Sequence, residues 1–140
     1  MSDKPLVSVC VITYNHAKFI EQTLDNILAQ KTNFKIEVLV HDDASSDGTT
    51  EILKRYEKEQ PASLKVFYEN ENQWGKGTYR GYVRDILAPA ASGKYIAVCE
   101  GDDFWLDLDK LQKQALYLEN HLDCVFTCHA AEVLDGTSAN

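Results

Sequence analysis

Apolar and polar positions along this chain alternate between two rhythms. "LVSVCVI" (residues 6–12) is almost wholly apolar and rich in β-branched residues, which predicts a strand covered on both faces. From Ala17 the period changes. Ile20, Leu24, Ile27 and Leu28 recur at helical spacing, so "AKFIEQTLDNILAQ" reads as an amphipathic helix. "IEVLVH" (36–41) predicts a second buried strand. "DDASSDGTTEILKRYEKE" then supplies a loop, a cap at Ser46 or Asp47, and a helix carrying Ile52, Leu53 and Tyr56. "LKVFY" (64–68) is a third strand. After the polar loop "ENENQWGKG", the residues Tyr79, Val83, Ile86 and Leu87 mark a helix that Pro89 must end or bend. "KYIAVC" (94–99) is a fourth strand. Leu108, Leu111, Ala115, Leu118 and Leu122 then step by three and four, which predicts a helix capped by Asp107. "CVFTC" (124–128) is the last strand candidate. Strands alternating with helices imply parallel pairing through right-handed crossovers. The expected fold is therefore α/β, a doubly wound and mainly parallel sheet with helices on both faces. Residues 1–140 read as a single domain without repeat, low-complexity tract or linker.

Composition narrows the partners. The chain has 140 residues, 44% of them hydrophobic, enough for one self-sufficient core. Its formal charge is −8, from 14 basic and 22 acidic side chains, which opposes binding along phosphate backbones. Nucleic acid is not an expected partner. No apolar run approaches the roughly 18 residues of a transmembrane helix, and "MSDKPLVSV" lacks the apolar core of a signal peptide. The expectation is a cytoplasmic chain, with peripheral attachment to a membrane face left open. Cys10 and Cys99 interrupt strand-like runs, where a thiol packs as a small hydrophobe. Cys124 and Cys128 would stand about 13 Å apart on an extended strand, too far for a mutual disulfide. With His129 they suggest zinc only weakly, because no second ligand pair stands at finger-like spacing.

The charged residues that change the picture follow the strands. In open α/β sheets ligands bind at the carboxyl ends of strands, where the strand order reverses. The first strand runs into "TYN" (13–15), the second into "DDAS" (42–45) and the fourth into "EGDD" (100–103). Asp42, Asp43, Glu100, Asp102 and Asp103 would then share one edge, where their repulsion weakens the fold unless a cation or donor-rich ligand compensates. Asp102 and Asp103 are placed to hold Mg²⁺ or Mn²⁺, hard cations that take carboxylate oxygen and complete their shells with water and substrate phosphates. Taken alone, "DDAS" reads equally well as an acidic group serving a helix N-terminus. No "GxxxxGK" occurs and the first turn has no "GxGxxG", so a phosphate-cradling glycine loop is excluded.

Together, "VSVCVITYNHAKFIEQTLDNILAQ", "VLVHDDASSDGT" and "GKYIAVCEGDDFW" resemble the inverting glycosyltransferases of family 2, over nearly the whole chain. The resemblance implies a GT-A fold with a Rossmann-like nucleotide-binding half. It also implies transfer of a sugar from a nucleotide-sugar donor, often a UDP-sugar, to a hydroxyl of a glycan or other acceptor, as in polysaccharide biosynthesis. Carried over by motif, Thr13, Tyr14 and Asn15 line the nucleotide pocket, with Tyr14 either stacking on the base or standing as an ordinary strand-end aromatic. Asp43 recognises base or ribose. "EGDD" matches the motif written DXD, so Asp103 ligates the metal and Asp102 the ribose or a metal-bound water. Arg84 either reaches the diphosphate or is solvated. The general base of the family, its acceptor-binding half and its "QxxRW"-like helix lie beyond the region matched, so residues 1–140 read as the N-terminal, donor-binding part of a longer enzyme. Glu132 and Asp135 are the late carboxylates, and neither is assigned as base.

Departures from the family pattern stand at His41, where a small or apolar residue is usual, at Leu108, where proline is common, and at Trp74, where members often read Asn-x-Gly. His41 reads as a strand-end side chain and Trp105 as a packing anchor rather than a sugar platform. Two other classes compete. A nucleotide-binding or assembly module that never transfers sugar shares the same pocket. A phospho-receiver domain would carry its acids after the first strand and an aspartate after the third, whereas "TYN" and "EN" stand there, which rules it out. If elements are missing from the sheet, an open edge favours self-association.

Overall fold

A computed structural model describes residues 4–77 and 81–134. Four strands, Val7–Thr13 (β1), Ile36–Asp42 (β2), Leu64–Tyr68 (β3) and Tyr95–Glu100 (β4), form one parallel sheet in the order β3-β2-β1-β4. Val9 lies opposite Val38 on one side and Ala97 on the other, so the apolar run of β1 occupies the middle of the sheet. Side chains of a strand alternate between faces, and both faces of β1 are covered. Val7, Val9 and Val11 join Val38 and Val40 beneath helices Ile20–Leu28 (α1), Thr49–Glu59 (α2) and Lys110–Asn120 (α4), which contribute Ile20, Leu24, Ile27, Leu53, Leu111 and Ala115. On the opposite face Cys10 and Leu39 pack with Leu87, flanked by Ile12, Phe67, Val83 and Ile86. That layer is a π-helical turn, Val83–Leu87, running on into α3, Ala88–Ala90.

The doubly wound α/β architecture is thus as expected, and its winding fixes where a site can form. From β1 the chain moves outward to β2 and β3 with α1 and α2 on one face. It then returns across the other face to place β4 on the far side of β1. The order reverses between β1 and β4, so the crevice beyond their carboxyl ends is the switch point of the sheet.

Several elements differ from the sequence-based expectation. The segment "CVFTC" forms no strand: no neighbouring strand offers it a hydrogen-bond ladder, and Val125 and Phe126 stand exposed. Helix α1 begins at Ile20 rather than Ala17: the Phe19 and Ile20 N–H groups both close on His16 O in a tight turn ahead of the helix, and the Ala17 N–H is bound to Asp47 in the next loop. Gly48, not Ser46 or Asp47, occupies the cap position of α2, at φ +105°, while Asp47 Oδ1 accepts the Thr49 N–H from one residue further out. Asp107 does not cap α4. The helix starts after Asp109, and the Asp107 carboxylate takes the Asp109 N–H and the Lys113 ammonium instead. Pro89 sits in the first turn of the short helix α3, a position where proline's missing N–H is tolerated, and the helix ends one residue later. Tyr79 and Asp135 lie outside the described residues. No helix among the described residues is long and apolar enough to cross a membrane.

The four cysteines are free. Burial, with Glu37 nearby, pushes the Cys10 thiol up to about 11; burial, with Asp103 nearby, pushes Cys99 up to about 12. Both are raised above their unfolded value of 9.0, so the folded state holds these protons more tightly than the unfolded chain does. Stability is then full below about pH 9 and falls by about 1.4 kcal/mol per pH unit per thiol above it. Urea midpoints are expected to drop between about pH 9 and pH 10.5, and Cys99→Ala to flatten that slope. Equal slopes in parent and variant would contradict it.

Candidate functional site

Every strand points its carboxyl end to the same edge, and hydrogen bonds lace the loops there together. The Asp43 N–H donates to Thr13 O (3.0 Å) and the Gly101 N–H to Ile12 O (2.8 Å), which extends both neighbours of β1 past the end of the sheet. Asn15, in the left-handed region at φ 56°, clamps the second loop from both sides. Its N–H donates to Ser45 Oγ (2.9 Å) and its Oδ1 accepts from the Ser46 N–H (2.8 Å). Asn tolerates that conformation better than most residues. Asp47 bridges back to Ala17 (3.0 Å). Burial opposes the Asp47 charge, but hydrogen bonds from Thr49 and Ala17 outweigh it and hold the carboxyl below its usual range.

The acids do not all converge. Asp42 and Asp43 are buried, and donors from their own loop, from neighbouring segments and from α2 engage them, which relieves the repulsion expected from the sequence. Asp42 Oδ1 accepts from the Ser45 N–H (3.1 Å) and Oδ2 from Thr50 Oγ1 (2.5 Å). Asp43 Oδ1 accepts from the Gln73 N–H (2.8 Å), and its Oδ2 from Asn72 Nδ2 (2.9 Å), the Trp74 N–H (3.1 Å) and the Tyr82 hydroxyl (3.0 Å). One carboxylate therefore fastens the loop after β3, including the short 3₁₀ turn Trp74–Lys76, to the end of β2. Ala44 follows at φ 60°, unusual for a residue with a Cβ, in the tight exit from the strand.

Asp102 and Asp103 behave differently. Both are exposed, on the loop that leaves β4 at the switch point. That loop is fixed from below by Thr23, a buried hydroxyl on α1, which donates to Asp103 O (2.6 Å) with Gly101 O 3.0 Å away. Its backbone is held while its carboxylates face outward. Across the crevice His16 links the two loops, with Nδ1 3.2 Å from Thr13 Oγ1 and Nε2 3.7 Å from Asp102 Oδ2. Gly101 lets them approach, since a Cβ there would lie 2.6 Å from Thr13 Oγ1 and 2.8 Å from His16 Nδ1. Two outward carboxylates on a rigid backbone suit a divalent ion that takes its other ligands from water and a bound phosphate; no set of three protein ligands is present among the described residues.

The other predicted positions are spread along this edge. Thr13 is buried at the end of β1 and Tyr14 is exposed beside it. Arg84 lies on the π-helical turn, its guanidinium forked onto Asp85 at 2.7 and 2.9 Å. Trp105 is a packing anchor, 5% exposed in the main core with the Lys110 ammonium 4.1 Å from its ring centroid. Three contributors escaped sequence reasoning: Thr23, Asn72 and Tyr82. Thr23 was detectable as a polar residue on the apolar stripe of α1; Asn72 and Tyr82 carried no signal because their partner is more than 25 residues away in sequence.

His41 takes part in the same arrangement. Its ring is 1% exposed, Nε2 stands 3.2 Å from Glu69 Oε1, and Nδ1 is buried with no hydrogen-bond partner among the described residues. It stacks on Tyr82 with centroids 4.2 Å apart and planes 19° from parallel. A cleft of about 490 Å³ opens nearby between the ends of β2 and β3, beside Asp42, Tyr68 and Glu69. A larger hollow of about 790 Å³ lies at the opposite edge, lined by Leu6, Phe34 and Lys94. None of the strand-end acids lines it, so chemistry rather than volume locates the site.

Comparison with known proteins agrees with that geometry. The profile described as Glycosyl transferase family 2 matches residues 8–138. An uncharacterised protein of Mycobacterium tuberculosis is 38% identical over 128 residues, 91% of this chain and 36% of that protein. Among solved structures, S. aureus TarS in complex with UDP superposes with a TM-score of 0.68 at 29% identity, covering 83% of this chain and 32% of TarS. A mannosyltransferase from Pyrobaculum calidifontis in complex with GDP-Man and Mn²⁺ gives 0.68 at 30% identity, covering 84% of this chain and 33% of that enzyme. The chain spans about a third of the length of these proteins. With a parallel sheet wound as in the GT-A glycosyltransferases and a family match over almost its whole length, this chain belongs to glycosyl transferase family 2.

Proposed function

We propose that residues 1–140 are the donor-binding domain of an inverting, metal-dependent glycosyltransferase, which moves a sugar from a nucleotide sugar, first of all a UDP-sugar, to an acceptor hydroxyl. The observation that carries this reading is the pair of exposed carboxylates, Asp102 and Asp103, on a loop held rigid by Thr23 at the switch point of the sheet. Solved structures of similar fold in complex with UDP and with GDP-Man and Mn²⁺ support a nucleotide ligand for a chain of this fold, and the chemistry favours this loop. Breaking a bond to phosphate leaves charge on the nucleoside diphosphate, and fixed positive charge beside it lowers the barrier. In this reading Asp103 holds Mn²⁺ or Mg²⁺, and Asp102 binds the ribose or a metal-bound water. The ion, when bound, supplies Lewis-acid stabilisation of the leaving diphosphate. Thr13, Tyr14 and Asn15 line the nucleotide pocket. Asp43, its carboxylate engaged by loop donors, serves base or ribose through the loop it fastens. Arg84 approaches the diphosphate by exchanging Asp85 for phosphate, as a guanidinium fork suits both. The general base and the acceptor groove are assigned to the remainder of a longer protein, a division of labour in keeping with the share of the relatives that this chain spans.

Calorimetric titration of UDP, GDP and CDP in Mn²⁺ tests the reading. One nucleotide is expected to bind, and both EDTA and Asp103→Ala to weaken it at least about tenfold, the loss of one charged contact. Metal-independent binding of equal strength in parent and Asp103→Ala would overturn the metal assignment, and no binding by any nucleotide would overturn the donor site.

A further inference from the structure

We infer that His41 and Tyr82 are a positioning pair for Asp43, so that nucleotide affinity at the proposed donor site depends on a stacked ring inside the sheet. The inference rests on the donor-site reading above and concerns residues that this reading does not use.

The position of His41 is the starting point. On its face of the sheet the neighbouring inward positions are Cys10, Ile12, Leu39 and Phe67, all apolar. A leucine or phenylalanine would pack there without difficulty. Histidine instead buries a nitrogen, Nδ1, that finds no partner among the described residues, a desolvation penalty with no return from packing alone. The imidazole does contribute two things. Its Nε2 meets Glu69 at the end of β3, which fixes the ring about its own axis, and its flat face lies 4.2 Å from the Tyr82 ring. Offset stacking of this kind fixes the plane of the partner ring.

Tyr82 transmits that orientation. Its hydroxyl donates to Asp43 Oδ2 at 3.0 Å, in a buried contact between residues 39 apart in sequence. The remaining donors to Asp43, from Asn72, Gln73 and Trp74, all belong to one loop and move with it. Tyr82, by contrast, stacks on His41 within the sheet, so among the described donors to this carboxylate it is the one tied to the sheet through another ring. Rotating or removing the phenol leaves Asp43 oriented only by its loop. The pair acts on nucleotide affinity through Asp43 rather than by contact of its own.

The test is calorimetric titration with UDP and GDP in Mn²⁺, beside thermal midpoints. Tyr82→Phe keeps the stacked ring and deletes the donor. It is expected to weaken binding of the nucleotide that the parent binds about three- to tenfold, less than the full value of one hydrogen bond to a charged group because the loss reaches the nucleotide only through Asp43. His41→Ala removes the platform and is expected to show a similar loss, whereas His41→Phe restores a flat ring and recovers most of the affinity lost in His41→Ala. A residue with a merely structural role would shift midpoints without this split between Ala and Phe. Unchanged affinity in Tyr82→Phe and His41→Ala, or equal losses in His41→Ala and His41→Phe, overturns the pair while the donor site stands. If His41→Ala fails to fold, the comparison of Tyr82→Phe with His41→Phe decides, as only the first is expected to bind weakly. Failure of the parent to bind either nucleotide removes the donor site and this inference with it.

Discussion

Replacing Gly101 by alanine is expected to damage the fold and the candidate site together. The added Cβ would stand 2.6 Å from Thr13 Oγ1, 2.7 Å from Thr13 Cβ and 2.8 Å from His16 Nδ1, distances that real Cβ contacts do not reach. Thr13 is buried at the end of the central strand and cannot swing away. The loop must move instead, against the Gly101 N–H bond to Ile12 and the Thr23 bonds to Gly101 and Asp103. Overpacking of this kind costs about 2–3 kcal/mol, which for a domain of this size lowers the thermal midpoint by about 5–10 °C. Displacing the loop also moves Asp102 and Asp103, so metal-dependent nucleotide binding should fall well beyond the loss of folded protein. Differential scanning calorimetry and nucleotide titration at a temperature where the variant is folded separate the two effects. A variant with an unchanged midpoint and unchanged affinity would show that the two loops do not depend on this close approach.

The second large effect is expected at Asp43. Asp43→Ala removes the acceptor shared by Asn72, Gln73, Trp74 and Tyr82. Hydrogen bonds to a charged group contribute about 1.5–3 kcal/mol each, and they are not additive within one network. Some relief comes from parting Asp43 from Asp42, so a net loss of about 3–5 kcal/mol is expected, at the upper end for a single substitution. Urea unfolding measures it. Hydrogen exchange localises it: the Gln73 and Trp74 amides should lose protection first, while amides of β1 and β2 report only the global change. Asp43→Asn should not rescue, because the amide offers one acceptor and adds two donors to a site already crowded with them. A small loss in Asp43→Ala, with Gln73 and Trp74 still protected, would show that the loop is held from elsewhere.

How far the sequence led depends on whether a feature is local. The strands and α1, α2 and α4 were legible because apolar period alone decides which faces can be buried, and β1 and β2 are covered on both sides as their unbroken apolar runs require. The ends were read less well. Ala17 looked helical, yet it falls in a separate turn closed on His16 O, which Asp47, 30 residues further on, fastens through the Ala17 N–H. Asp107 looked like a cap, yet Asp109 ends up at the helix start. "CVFTC" has the composition of a strand, but a strand exists only where another backbone lies alongside.

The site divides in the same way. Chain order alone determined that "TYN", "DDAS" and "EGDD" would gather at one edge, because in a parallel sheet every strand presents its carboxyl end there. Which of the acids stay available was decided by tertiary structure. Asp42 and Asp43 read in sequence like Asp102 and Asp103, an adjacent pair after an apolar run. Loop donors from residues 45 to 82 consume the first pair, whereas Thr23 holds only the backbone of the second and leaves its carboxylates outward. Charge and pattern are properties of the chain; whether a carboxylate meets a donor or faces solvent depends on segments remote in sequence, which only folding brings within hydrogen-bond distance.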